Sequence, residues 1–249
     1  NVLRLASELE IPIFINTSSV AAAINSRFDQ VRGMDLDLHR PFPDPYSESK
    51  ARAEKVIQNW NWPIMFRLNL RLGVLVGDSE QGRIERIDGP YHAAEALRSI
   101  RSFVSRWPVA LPLPGSEETV LPLVPVDACA RAIVKLTEWA IYSGEVGYKS
   151  LHLTPTRGVG VRDFYRSVLR HLHLRPKGLI LTGRLNQQTV KKIANWAAHL
   201  PEEELNYLMN FPNYDTADTE ALLGSDWCPE FPDYERVFWS GYEKFVSNR

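Results

Sequence analysis

Residues 11–15 read Ile-Pro-Ile-Phe-Ile, and the next four positions are Asn16, Thr17, Ser18 and Ser19. An unbroken apolar run of this kind calls for a strand covered on both faces, as strands are inside a parallel sheet. An amphipathic helix precedes it over about residues 2–9, and a Pro-rich loop (Pro41, Pro43, Pro45) follows. A second helix is expected over roughly 47–59, then strands within 64–68 and 72–76 closed by Gly77-Asp78. Further on come a helix from about 91 to 104, an apolar stretch at 120–126 leading into a helix near Asp127, and a short strand at 149–153. Strands alternating with helices imply an α/β fold with a doubly wound parallel sheet. Residues 1–77 and 119–154 are assigned to that sheet. Residues 78–118 and 155–249 are assigned to a smaller, mostly helical substrate-binding lobe at the sheet's C-terminal edge, where ligands bind in such folds.

With 249 residues and a formal net charge of -1, the chain offers no electrostatic footprint for nucleic acid or an anionic membrane. No apolar run reaches the length of a membrane span and no signal peptide opens the chain, so a cytoplasmic location is expected. Cys129 and Cys228 form no C-x-x-C pair and read as reduced thiols without metal or redox duty. His171 and His173, two apart, lack ligand spacing, so no metal site is expected. Asp127 reads as a helix N-cap and His92 as a packing or surface residue.

The chemistry-bearing signal is Pro45-Tyr46-Ser47-Glu48-Ser49-Lys50. Tyr46 and Lys50 are one helical turn apart and share a face. An ammonium beside a phenol favours the phenolate, so such a tyrosine can exchange a proton with a substrate oxygen. Alone, the spacing is common on solvated helix faces. Here the Ser/Thr cluster at the preceding strand end, the connecting loop and the strand around Gly73 reinforce it.

The order Thr17-Ser18-Ser19, then Tyr46-Ser47-x-Ser49-Lys50-x-x-x-Glu54, then Arg71-x-Gly73-Val74-x-Val76-Gly77-Asp78-Ser79, then Val124-Pro125-Val126-Asp127 resembles an extended short-chain dehydrogenase/reductase. Within it, residues 77–82, 87–91 and 111–115 resemble the thioester-reductase and fatty acyl-CoA reductase branch, as does the stretch from Tyr214-Asp215-Thr216 to Leu222-Leu223-Gly224. The resemblance implies the C-terminal part of a Rossmann-like sheet. It makes Tyr46 the general acid/base, with Lys50 tuning it and holding the nicotinamide ribose. The catalytic hydroxyl is Ser19 by alignment on the strand end, with Ser18 or Thr17 selected by a small shift. Thr17, Tyr46, Lys50, Leu72, Gly73 and Val74 are the implied cofactor contacts, although the family usually has Pro where this chain has Leu72.

The chain contains no Gly-x-Gly-x-x-Gly, the pyrophosphate-binding fingerprint of such folds. The first residue is not Met, and the resemblance places roughly 100 residues before Asn1. The expected activity is therefore that of a longer parent, an NAD(P)H-dependent reductase; the residues that would separate NADP from NAD lie outside this sequence, and the resemblance alone slightly favours NADP. Its expected substrate is an acyl thioester on coenzyme A or a carrier protein, reduced to an aldehyde. A nucleotide-sugar epimerase or dehydratase is the enzymatic alternative, and a non-catalytic binding or scaffold domain is the other. The 249 residues alone are expected to be inactive, and a stable sample is expected either to self-associate through the exposed edge of strand 11–17 or to carry upstream residues.

Overall fold

The computed structural model describes residues 1–24, 30–62, 65–106, 110–183 and 211–248. The chain opens with α1 (Val2–Glu8), β1 (Ile13–Ser19), β2 (Gln30–Val31), α2 (Pro45–Gln58), β3 (Phe66–Leu72) and β4 (Val74–Val76). It continues with α3 (Tyr91–Ser99), α4 (Arg101–Arg106), β5 (Ala110–Leu113), β6 (Val120–Leu121), β7 (Leu123–Pro125) and α5 (Val126–Tyr142). Then come β8 (Gly147–Leu153), β9 (Val159–Gly160), α6 (Val161–His171), β10 (Gly178–Leu181), β11 (Asn213–Tyr214), α7 (Ala217–Leu223) and α8 (Phe231–Ser247). They form two compact units, one from 1–76, 122–157 and 212–229, the other from 77–121, 158–211 and 230–249.

The first unit is built on a parallel sheet in the order β1-β3-β8, with Ile13 opposite Phe66 and Phe66 opposite Gly147. Because successive side chains point to opposite faces, β3 (Phe-Arg-Leu-Asn-Leu-Arg-Leu) sorts itself by parity. Phe66, Leu68 and Leu70 pack with Leu151 and Leu153 against Cys129, Ala132, Leu136 and Ala140 of α5. Arg67, Asn69 and Arg71 point the other way, and all three are buried too. Asn69 joins the three strands there, its Oδ1 accepting from Asn16 Nδ2 at 2.7 Å and its Nδ2 donating to Ser150 Oγ at 2.9 Å. The backbone at Gly33 lies against this polar face so closely that a Cβ there would sit 1.8 Å from the Ser150 carbonyl oxygen.

Several elements differ from the sequence expectations. β1 begins at Ile13 rather than Ile11 and runs through Ser19, so the hydroxyl residues form its C-terminal end. It lies at the margin of its sheet, and Ile13, Phe14 and Ile15 are half-buried rather than closed in on both faces. Pro125, in extended conformation, is the N-cap of α5; Asp127 sits inside the first turn, 2.9 Å from Arg131. The stretch 212–229, expected with the lobe, packs on the sheet unit. There β11 pairs with β2, Thr219 Oγ1 donates to the His152 carbonyl at 2.8 Å, and Leu222, Leu223, Trp227 and Cys228 join the apolar core. Burial raises the thiol of Cys129 to about 11 and that of Cys228 to about 12, so both stay protonated.

The second unit is mainly helical, and its core is aromatic. Tyr91 stacks on Phe238 at 4.5 Å, while Phe164 packs against Phe231, Phe238 and Trp239. His171 stacks on Trp239 at 4.7 Å, and its Nε2 lies 2.7 Å from Glu243, which gives this histidine a packing role. Gly82 (φ 67) and Gly241 touch backbone to backbone, leaving no room for a side chain on either. Asp78 orders the loop before them by accepting from the backbone N–H groups of Glu80, Gln81 and Arg83. Among the described residues, no helix is long and apolar enough to cross a membrane.

Candidate active site

The start of α2 is set by its sequence. Asp44 caps it, its Oδ1 accepting from the Ser47 N–H at 2.7 Å, and Pro45 fills a first-turn position where its missing N–H costs nothing. Tyr46 therefore falls in the first turn and Lys50 one turn later. Ser47, Ala51, Glu54 and Ile57 form the buried side of the helix, which packs over the polar face of β1 and β3. Tyr46 is 51% exposed, so its phenol is open to a ligand. The Lys50 ammonium lies 5.7 Å from the Tyr46 ring centroid and donates to the Thr17 carbonyl oxygen at 3.5 Å. Of the two residues paired by spacing, Lys50 reaches the C-terminal half of β1.

The three candidate hydroxyls are not equivalent. Ser18 is buried, and its Oγ donates to Glu54 Oε1 at 2.5 Å. That hydroxyl is committed to the interior, which counts against Ser18 as a substrate ligand. Thr17 has an exposed side chain, and its carbonyl takes the lysine. Ser19 is half-buried and caps the 3-10 turn Val20–Ala23, its Oγ accepting from the Ala21 N–H at 3.2 Å. That bond uses a lone pair and leaves the O–H hydrogen able to donate.

Leu72, Gly73 and Val74 form the neighbouring strand end. At Gly73 the chain passes from the β3–β8 ladder to a second parallel pair, β4–β7. The Gly73 N–H donates to the Leu153 carbonyl and the Val74 N–H to the Pro122 carbonyl, each at 2.9 Å. A Cβ on Gly73 would stand 2.5 Å from the Pro122 oxygen, so only glycine lets the backbone cross here.

Beneath this edge lies a cluster around Glu54 and Arg71, two residues of the sequence motif to which no role was given there. Glu54 and Arg71 are 0% and 1% exposed and form an ion pair at 2.7 Å. The guanidinium spends all five donors. Nε and Nη2 go to Glu54, Nη2 also to the Asp35 carbonyl at 2.8 Å, and Nη1 to the Arg32 carbonyl at 3.4 Å and His152 Nε2 at 3.1 Å. Burial, and then the adjacent guanidinium, pull the His152 imidazole down to about 3. The ring is therefore neutral, Nε2 accepting from Arg71 and Nδ1–H donating to the Asp215 carbonyl at 3.0 Å. Two signals could have found this cluster: the period-2 arginines and asparagine of β3, and Glu54 one turn beyond Lys50.

The donors present suit a nicotinamide nucleoside. An exposed phenol and an ammonium with unspent N–H groups offer hydrogen bonds to ribose hydroxyls. No group of His, Cys, Asp or Glu suited to a metal ion occurs among the described residues.

A parallel sheet under helices, with a Tyr-x-x-x-Lys helix crossing its C-terminal edge, is the architecture of Rossmann-like reductases of the short-chain dehydrogenase/reductase class. The chain belongs to the NAD-binding family described as male sterility protein, whose family model matches residues 1–133. A search of curated proteins finds no match. Among solved structures, the terminal R domain from the myxalamid PKS-NRPS biosynthetic pathway is similar at 20% identity and a TM-score of 0.69. The match covers 99% of this chain and 61% of that one, so the chain spans less than two thirds of the domain it resembles. MoeE5, solved with UDP-glucuronic acid and NAD, is similar at 14% identity and a TM-score of 0.60, over 97% of this chain and 68% of that one. UDP-glucose-4-epimerase (galE) from Stenotrophomonas maltophila is similar at 13% and 0.60, over 99% and 68%. At these identities the structures establish the shared fold.

Proposed function

We propose that the chain is the catalytic-edge portion of an NAD(P)H-dependent reductase acting on an acyl thioester, carried on coenzyme A or a carrier protein and released as an aldehyde. The observation that carries the reading is the exposed Tyr46 phenol beside the Lys50 ammonium, anchored at the hydroxyl-bearing end of β1. Membership of the male sterility protein family supports reductase chemistry, and likeness to an R domain of a PKS-NRPS pathway supports a carrier-bound substrate.

In this reading Tyr46 and Lys50 hold the nicotinamide ribose and the backbone of residues 72–74 faces the ring. When bound, the reduced cofactor supplies a hydride to the thioester carbon. Ser19 donates a hydrogen bond to the substrate carbonyl oxygen. Tyr46 gives that oxygen its proton as charge develops there, with the Lys50 ammonium beside its ring. The hemithioacetal so formed breaks its C–S bond, the sulfur leaving as a thiol and the carbon as an aldehyde. NADPH is the expected reductant.

In the full-length protein, Tyr46→Phe should lower kcat for acyl-thioester reduction by about a thousandfold or more and cofactor affinity by no more than about tenfold, because Lys50 keeps its ribose contact. Loss of reduced-cofactor absorbance with acyl-coenzyme A or acyl carrier protein, NADPH and NADH run in parallel, measures it. A Tyr46→Phe enzyme with native turnover, or activity confined to nucleotide sugars, overturns the reading.

A further inference from the structure

Tyr46, Lys50 and Glu54 follow one another at four-residue intervals, so one face of α2 carries phenol, ammonium and carboxylate on successive turns. Each of the last two meets β1 at a defined residue. Lys50 reaches the Thr17 carbonyl and Glu54 receives the Ser18 hydroxyl, immediately before Ser19. Through the same carboxylate Glu54 grips Arg71, immediately before Leu72 and Gly73. The three segments that carry the proposed site are thus tied to one buried carboxylate.

We infer that Glu54, clamped by Arg71, is a positioning residue that fixes the Tyr46–Lys50 turn of α2 against the Ser19 end of β1. The inference rests on the proposed reductase reading for its kinetic consequence, but its geometric content is independent of it. Stability alone does not account for such a pair. Replacing a buried ion pair by apolar residues of similar volume often leaves a protein as stable or makes it more so, because two charges no longer have to be stripped of water. What apolar side chains cannot supply is direction. A bidentate fork fixes helix against strand in distance and orientation, and the Arg32, Asp35 and His152 acceptors hold the fork itself. A misplacement of about 1 Å between reacting groups can cost about a hundredfold in rate.

The test uses the full-length protein carrying the paired change Glu54→Leu with Arg71→Met, and separately Arg71→Lys, which keeps the buried charge and loses the fork. Two readouts are taken. One is kcat and KM for thioester reduction, with Tyr46→Phe as the benchmark. The other is amide hydrogen exchange at residues 17–22 and 45–50 in cofactor-free protein, alongside the thermal midpoint. The expected result is a thermal midpoint close to native, exchange at these segments about tenfold faster, and kcat lower by about ten- to a hundredfold with KM little changed. A folded paired variant with native exchange and kcat within twofold of native overturns the inference. If the paired variant does not fold, Arg71→Lys decides by the same criteria. If Tyr46→Phe itself turns over normally, the reductase reading fails and exchange alone judges the positioning role.

Discussion

The two faces of the β1-β3-β8 sheet are equally dry and chemically opposite. Leu68 and Leu70 on one side and Asn69 and Arg71 on the other are each at most 1% exposed. The apolar face is held by area. Burying a leucine contributes about 1.5–3 kcal/mol with no directional demand, so shape can be redistributed among neighbours. The polar face is held by paired groups, each of which is costly when its partner is removed. The apolar face therefore anchors the fold, while the polar face, under α2, fixes where the site residues stand.

The largest contrast is expected on removing one member of the ion pair. Arg71→Ala leaves the Glu54 carboxylate buried and uncompensated and should cost about 3–5 kcal/mol in denaturant unfolding. A loss under about 1 kcal/mol would mean that water replaces the guanidinium and that the polar face is softer than described. A smaller effect concerns pH. His152 is held at about 3, below its unfolded value of 6.5, so the unfolded chain binds the extra proton first. Its contribution is full above pH 6.5 and is lost as pH falls toward 3. Between pH 6.5 and 5, above most carboxylate titrations, stability should fall by about 1.6 kcal/mol more in the native protein than in His152→Gln. Parallel pH–stability curves would dissolve the contrast at this position. The smallest effect belongs to the apolar face, where Leu68→Met should cost less than about 1.5 kcal/mol. A larger loss there would show that this face is as exacting as its opposite.

The sequence makes the apolar face and the surface pair easy to read, and hides the polar interior. Tyr46 and Lys50 are legible because a helix converts a four-residue spacing into one face whatever surrounds it. The strand–helix alternation is legible for the same local reason. Arg67, Asn69 and Arg71 were not, because a polar residue every second position looks the same whether that face meets water or a buried partner. Only the partners decide, and Glu54, Arg32, Asp35 and Ser150 lie 17 to 81 residues away in the chain. Asp127 misled for a related reason. A carboxylate near a helix start suits a cap and a first turn equally, and the extended backbone of Pro125 moved the start two residues earlier.

Arg67 adds a consequence for the order in which the chain assembles. Its guanidinium donates to the carbonyls of Ile57 at 3.0 Å and Gln58 at 3.2 Å, at the end of α2 where carbonyls lack intrahelical partners, and also to that of Trp60 just beyond the helix. The helix end and the first residues of β3 thus complete each other across a short loop, well before the distant strand β8 must arrive. Closing so small a loop takes little chain entropy, which makes residues 45–72 a natural early folding unit. The helix that presents the phenol would then be seated on its strand from the first stages of folding, and the remaining strands would add to an edge already in register.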